Sequence, residues 1–143
     1  RMNFTLQAQQ ADHGELYIEV CDKKSAAPVR LRLDGENGSI KLLQKGLWVE
    51  LMKLEAEMWY RFDIQIEAGK QYFALSINDE PIGKKWGFTV PAYSVERLVF
   101  RTGPVRREPT VETDLYGKGD LPGVEEKVLR AVYYIDEVHT SDL

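Results

Sequence analysis

The chain has 143 residues, of which 43% are hydrophobic and 29% are charged, and it carries a net charge of −4 with a pI near 5.3. This size and composition predict one globular domain, and the acidic balance argues against a nucleic-acid binder, which needs a basic surface. No apolar stretch approaches the roughly 18 residues that cross a bilayer, and the single cysteine, Cys21, excludes an intrachain disulfide or a cysteine-rich zinc site.

The first half of the chain alternates apolar and polar residues with a period of two, as in strands that bury one face. The apolar positions of the first four strands are Met2, Phe4, Leu6 and Ala8; Leu16, Ile18 and Val20; Val29, Leu31 and Leu33; and Ile40 and Leu42. Turn-forming residues are found at positions 12–14 and 34–38. A fifth strand is predicted over residues 47–54.

Residues 57–82 give the clearest pair of strands. One face carries Met58, Tyr60, Phe62, Ile64 and Ile66, and the returning strand carries Phe73, Leu75 and Ile77. Asn78 and Asp79 follow at a tight hairpin turn, because both residue types tolerate a left-handed backbone. Shorter strands are predicted within residues 81–90, 98–100 and 131–135.

Helical periodicity is nearly absent, and only residues 124–129 could hold a helical turn. About ten short strands separated by turns predict an all-β fold, an antiparallel two-sheet β-sandwich that takes in residues 1–143 as a single domain. Because a strand opens the chain without a signal peptide, we expect the domain to belong to a longer polypeptide.

Residues 103–127 form a long predicted loop that is rich in proline, glycine and charge. A loop of this length in a compact domain is usually functional or disordered. Its acidic residues could supply the oxygen ligands of a structural calcium ion, although no EF-hand pattern is present; they are Glu112, Asp114, Asp120, Glu125 and Glu126. The alternative is a solvated acidic loop, and no other cofactor is predicted.

Three segments carry a family resemblance. Residues 59–64 are a strand led by tryptophan, residues 70–82 continue into a hairpin, and residues 133–138 end on Ile-Asp-Glu-Val. This arrangement resembles the concanavalin A-like lectin/glucanase group, which includes the laminin-G-like jelly rolls. The resemblance implies a concanavalin A-like jelly roll that serves as an accessory module of a bacterial carbohydrate-active protein, with a secreted, periplasmic or cell-surface location.

The enzymes of that group can be compared residue by residue. Its glucanases carry a Glu-x-Asp-x-(x)-Glu strand that supplies a nucleophile and a general acid, and its lyases carry a Gln-x-His strand. No segment here has either pattern, and the nearest acidic pairs are Glu15/Glu19, Glu55/Glu57 and Asp136/Glu137. His13 lies in a predicted turn and His139 near the last residue. The prediction is therefore a protein without enzymatic activity.

The outward positions of the strands carry aromatic and arginine side chains, which suit sugars. Aromatic rings lie under the C–H faces of sugars, and a guanidinium group binds carboxylates with two parallel hydrogen bonds. The candidate ligand-binding residues are Tyr17, Arg30, Arg32, Trp59, Arg61, Tyr72, Trp86, Arg97 and Arg101. The alternative for the arginines is cross-strand pairing with Asp34, Asp63 or Glu19, and for Trp59 it is packing against the sandwich edge. Trp86, flanked by glycine and lysine, is predicted to face solvent.

These features predict a non-catalytic carbohydrate-binding or accessory module of a secreted or surface polysaccharide-degrading protein. The predicted partners are an oligo- or polysaccharide, acidic if several arginines share one face, and neighbouring domains of a longer chain; neither nucleic acid nor membrane insertion is expected. One alternative is a structural domain that packs against a neighbouring catalytic domain through a large apolar outer patch. A weaker alternative is a glycoside hydrolase or lyase whose site has no recognisable motif.

Overall fold

The computed structural model describes residues 1–102 and 129–142, which form two antiparallel sheets packed face to face. The strands are β1 (Met2–Ala8), β2 (Glu15–Cys21), β3 (Val29–Asp34), β4 (Ser39–Gln44), β5 (Leu47–Lys53), β6 (Trp59–Glu67), β7 (Tyr72–Ile77), β8 (Glu80–Pro81), β9 (Trp86–Gly87), β10 (Arg97–Thr102) and β11 (Tyr133–Thr140). The six-stranded sheet has the order β11-β1-β6-β7-β8, with β9 beside β7, and the five-stranded sheet has the order β10-β2-β3-β4-β5. The predicted all-β, two-sheet antiparallel sandwich is confirmed.

The core lies between the two sheets and follows the period-two pattern. Alternate residues of β1, β3 and β6 are buried, because each of these strands turns one side chain in two towards the opposite sheet. Phe4 of β1 stacks on Phe62 of β6 with ring centroids 5.1 Å apart, and it meets Phe100 of the five-stranded sheet edge-on at 5.2 Å. These aromatic contacts join the sheets at the centre of the sandwich.

The predicted hairpin turn after β7 has the expected backbone. Asn78 and Asp79 have φ values of 53° and 66°, the left-handed conformation that a two-residue hairpin loop needs. The Asn78 side-chain oxygen accepts a hydrogen bond of 2.8 Å from the Arg61 backbone N–H. The turn is therefore fastened to β6. Where a turn was predicted between β6 and β7, residues Ala68–Lys70 form a short 3-10 helix.

The segment that precedes β11 is held against the β1–β2 turn. The backbone N–H of Gln9 donates to the Val132 carbonyl oxygen at 3.0 Å, and the Val132 N–H donates to the side chain of Gln10 at 2.9 Å. A ring nitrogen of His13 lies 2.8 Å from the Arg130 carbonyl oxygen. These bonds align β11, which begins at Tyr133 rather than at residue 131, along the free edge of β1.

Several predictions concern residues that lie outside the described part. They are the long loop at 103–127 with its acidic calcium candidates, and all but the last residue of the helical turn predicted at 124–129. Within residues 1–102 and 129–142, no group of three or more His, Cys, Asp or Glu side chains could hold a metal ion. No helix in these two ranges is long and apolar enough to cross a membrane.

Candidate functional site

The predicted site residues divide between the two outer faces of the sandwich. Outward positions of the five-stranded sheet hold Tyr17, Arg30, Arg32, Arg97 and Arg101. Outward positions of the six-stranded sheet hold Trp59, Arg61 and Tyr72, and Trp86 lies in the short strand β9. Because the core separates the two faces, these residues form two surfaces rather than the single site that shared outward parity suggested.

One row across the five-stranded sheet draws a side chain from every strand of that sheet. Its register places side by side Arg101 (β10), Tyr17 (β2), Arg32 (β3), Lys41 (β4) and Glu50 (β5). Tyr17 is only 3% exposed, because the guanidinium carbons of Arg32 and Arg101 lie 5.6 and 5.1 Å from the centre of its ring. Burial and a 2.8 Å hydrogen bond to Glu15 raise the pKa of Tyr17. Tyr17 therefore supports two arginines instead of offering its own ring to a sugar.

Trp48 of β5 belongs to this cluster, although the sequence analysis left it out. Its ring lies 6.1 Å from the Tyr17 ring, and the Arg32 guanidinium carbon lies 5.8 Å from its centre. Trp48 pairs with Leu43 of β4, next to the inward-facing Leu42, so Trp48 points outward like Leu43. The available signal was the residue type, a tryptophan within a predicted strand.

Carboxylate groups pair with the arginines of this sheet. Glu19, nearly buried, lies between Arg30 at 3.1 Å and Arg101 at 2.8 Å. Glu15 forms an ion pair with Arg32. Arg30, Arg32 and Arg101 thus form ion pairs with carboxylates of this sheet, and their role in ligand binding stays a prediction. Such charge-assisted pairs hold each guanidinium group in one orientation.

Asp34, at the end of β3, is fully buried. Burial favours the neutral acid, but hydrogen bonds from Asn37 and Lys41 and the charge of Arg32 outweigh it and lower the pKa of Asp34 to about 2. The Lys41 ammonium lies 2.8 Å from the carboxylate, and Arg32 lies at 3.8 Å. Asp34 is thus ionised at neutral pH and anchors two cations.

The outer face of the five-stranded sheet carries more positive than negative charge. We call it the cationic face, defined by its outward charged residues: Arg30, Arg32, Lys41, Lys53, Arg97 and Arg101 against Glu15, Glu19, Asp34 and Glu50. This excess stands out because the chain as a whole has a net charge of −4. A surface of this kind attracts anionic ligands.

Arg97 lies at the border of the cationic face and has a local role. Its guanidinium group donates to the Ser25 hydroxyl oxygen at 2.5 Å and to the Asp22 carbonyl oxygen at 3.3 Å. It lies opposite Cys21 in the register, and burial raises the pKa of that thiol. Arg97 therefore fastens the β2–β3 turn, away from the Tyr17 row.

The remaining candidates lie on the outer face of the six-stranded sheet. Trp59 is 46% exposed, so nearly half of its surface is accessible, and the alternative that it packs against the sandwich edge stays a prediction. Arg61 pairs with Asp79 in the hairpin turn. The ammonium group of Lys85 lies 4.3 Å from the centre of the Tyr72 ring and donates to its hydroxyl oxygen at 3.0 Å.

Trp86 does not face solvent as predicted. It packs against the hydrophobic core, and its indole N–H donates to the Ile82 carbonyl oxygen at 2.7 Å. A Cβ at Gly83 would lie only 3.0 Å from the nearest ring carbon of Trp86. The flanking glycine thus makes room for the folded-back indole ring, whereas the sequence analysis took it as a sign of exposure.

Comparisons with known proteins give a family and a solved structure of similar sequence and fold. The profile of the family described as "Sialidase-like, CBM domain", in which CBM denotes a carbohydrate-binding module, matches residues 1–116. A solved structure named "Sialidase" is similar, with 31% sequence identity and a TM-score of 0.84. The similarity covers 98% of this chain but only 13% of that chain, so this chain corresponds to a small part of a much longer protein.

Galectins are more distant matches. Galectin-1-L2 of Dario rerio has 12% identity and a TM-score of 0.47, with 71% of this chain and 83% of that chain covered. Sheep galectin-11 has 18% identity and a TM-score of 0.41, with 71% and 81% covered. Scores this low carry no argument about function. No curated protein matches the chain significantly, and the concanavalin A-like and laminin-G assignment stays a prediction.

Proposed function

Because the chain belongs to the sialidase-like CBM domain family, we propose that it is a non-catalytic module that binds glycans on its cationic face. The observation that carries the proposal is the cluster of Trp48, Tyr17, Arg32 and Arg101, in which the Trp48 ring lies beside the Tyr17 ring and two guanidinium groups lie over Tyr17. It combines a ring for the C–H face of a sugar with donors for its polar groups.

The fixed orientation of the arginines supports tight recognition. A free arginine side chain loses rotamer freedom when it binds a ligand, at a cost of about 0.5–1.5 kcal/mol for each immobilised side chain. Arg32 is already held by Glu15 and stacked on Tyr17, and Arg101 is held by Glu19. Most of this loss of side-chain entropy therefore occurs when the domain folds and does not weaken sugar binding.

The charge of the face favours a carboxylated sugar. An arginine fork matches a carboxylate geometrically, and the positive excess of the cationic face adds a longer-range attraction. The similar protein is named a sialidase, and sialic acid is the carboxylated sugar after which such enzymes are named. We therefore take sialylated and uronate-containing glycans as the ligand class.

Titration with a matched pair of sugars tests the proposal. Sialyllactose and lactose differ by the carboxylated residue, so we expect sialyllactose to shift the indole N–H signal of Trp48 in NMR spectra and lactose to shift it far less. Trp48→Ala should weaken binding by about tenfold or more, because a stacked aromatic partner contributes about 1 kcal/mol beyond its buried area. Raising ionic strength from 0.1 M to 1 M should also weaken binding, because the Debye length falls from about 10 Å to about 3 Å.

Arginine variants supply the control. Arg101→Gln removes a donor from the cationic face, whereas Arg61→Gln removes an arginine that also pairs with an acid but lies on the opposite face. Only Arg101→Gln should lower affinity for sialyllactose. Equal responses to the two sugars, or equal affinities of the two variants, would contradict the proposal.

The accessory role and the location extend this proposal. A chain that corresponds to 13% of a longer sialidase is suited to hold a neighbouring catalytic domain near its substrate. Glycans of this class are displayed outside the cytoplasm, so we propose a secreted, periplasmic or cell-surface location.

A second candidate function is packing against a neighbouring domain without sugar binding. The observation in its favour is the exposure of apolar side chains along the edge strand β11, where Ile135 is 40% and Val138 is 48% exposed. Hydrogen exchange of the β11 amides, compared between this domain and the full-length protein, tests it. Equal exchange rates would leave the packing role without support.

A further inference from the structure

We propose a second glycan-binding surface, on the outer face of the six-stranded sheet, that takes neutral oligosaccharides. Its residues are Trp59, Gln7 and Tyr134, which we call the aromatic row. The inference rests on the proposed function only in taking glycans as the ligands. The surface itself is separate, because it lies on the face opposite the cationic face.

The aromatic row is set by strand register. Gln7 of β1 pairs with Trp59 of β6 on one side and with Tyr134 of β11 on the other. Directly opposed residues share a face, and strands lie about 4.8 Å apart, so the two aromatic residues are roughly 10 Å apart across Gln7. Trp59 is 46% exposed and Tyr134 is 49% exposed. Two accessible rings at this separation suit a disaccharide unit or longer.

The amide between the rings is fixed and only partly used. The Gln7 nitrogen donates to the Glu57 carbonyl oxygen at 2.9 Å, and the Gln7 oxygen accepts from the Gln9 amide at 2.7 Å. A side-chain amide has two N–H donors and two acceptor lone pairs. The described bonds use one of each, which leaves a donor and an acceptor on Gln7. Sugar hydroxyls need both, because each is itself a donor and an acceptor.

This face lacks the positive excess of the cationic face, and Asp136 of β11, opposite the outward Thr5, adds a negative charge. Arg1 pairs with Asp63 at 2.7 Å, and Arg61 pairs with Asp79. The rest of β1 presents uncharged polar groups at its outward positions, such as the Thr5 hydroxyl, which donates to the Asp136 carbonyl oxygen at 3.0 Å. A surface without excess positive charge gives no advantage to a carboxylated sugar, so the ligand is neutral.

The pattern also distinguishes a sugar from a protein partner. Protein-docking patches are contiguous and apolar at their centre. In the aromatic row the centre is Gln7, and the apolar rings stand on either side of it. Amphipathic sugar rings, with polar rims and apolar faces, match this alternation.

Titration of the protein with chitotetraose and cellotetraose, both neutral, tests the inference. We expect either or both to shift the Trp59 indole N–H and the Gln7 side-chain amide signals and to leave Trp48 unchanged. Trp59→Ala and Tyr134→Ala should each weaken neutral-sugar binding by about tenfold or more. Both side chains are about half exposed, so the variants should fold.

Trp48→Ala is the matched control, because it removes a tryptophan from the opposite face. It should weaken sialyllactose binding and leave neutral-sugar binding intact, whereas Trp59→Ala should do the reverse. Failure of sialyllactose to shift Trp48 counts against the proposed function alone. Neutral tetrasaccharides that shift neither Trp59 nor Gln7, or that shift only Trp48, overturn the second surface. The second surface is also overturned if the protein dimerises with rising concentration, Trp59→Ala abolishes the dimer and no neutral sugar gives a response. The aromatic row would then be a protein interface.

Discussion

Asp34 offers a sharp test of the electrostatics beneath the cationic face, through the variant Asp34→Asn. Its ordinary pKa of 3.8 is lowered to about 2 in the folded protein. At about 1.36 kcal/mol per pKa unit, this difference corresponds to about 2 kcal/mol of folding free energy at neutral pH. Asparagine keeps the shape of the side chain but removes the charge that holds Lys41 and Arg32.

The sign of the pH dependence follows from the direction of the pKa change. A carboxyl group with a lowered folded-state pKa stabilises the native state above its unfolded pKa, and that contribution is lost as pH falls through the folded-state value. The difference in unfolding free energy between the wild type and Asp34→Asn should therefore be about 2 kcal/mol at pH 7. It should shrink below pH 3.8 and be nearly gone at pH 2.

Urea unfolding followed by tryptophan fluorescence measures this difference by linear extrapolation at each pH. Asp79→Asn is the control, because Asp79 also pairs with an arginine but its side chain is 77% exposed. It should cost less than about 1 kcal/mol. A difference for Asp34→Asn that stays constant from pH 7 to pH 2, or a control that costs as much, would refute the reasoning.

Two further predictions concern other polar contacts of the five-stranded sheet and of the β1–β2 turn. Glu19→Gln removes the carboxylate that Arg30 and Arg101 share. It should lower the free energy of unfolding by about 1–3 kcal/mol in thermal or urea unfolding, and it should lower affinity for sialyllactose. Unchanged stability and affinity together would show that Glu19 orders neither arginine. The hydrogen bond from His13 to the Arg130 carbonyl raises the pKa of His13. The stabilisation by His13 is therefore fully present below its unfolded-state pKa of 6.5, and it is lost as pH rises through the folded-state pKa. His13→Asn should therefore differ from the wild type more at pH 5 than at pH 9, and a larger difference at pH 9 would argue against a charged, bonded imidazole.

Much of the fold was predictable from the sequence, because strand alternation is local. Each strand turns every second side chain inward, so the spacing of Phe4, Leu31 and Phe62 alone indicated which face of its strand was buried. The left-handed turn at Asn78 and Asp79 is also local, since it depends on two residue types and their position.

The candidate site depended on tertiary structure. Outward parity does not say which of two sheets a strand joins, so Arg32 and Trp59 could not be separated until strand pairing assigned them to opposite faces. Trp48 joined the cationic face through the pairing of β5 with β4, where it lies opposite Leu43, and Tyr17 was covered because arginines of two neighbouring strands close over it. The sequence thus determined which side chains leave the core, because that is set within each strand. Which of them meet was decided by hydrogen-bonded register between strands distant in the chain.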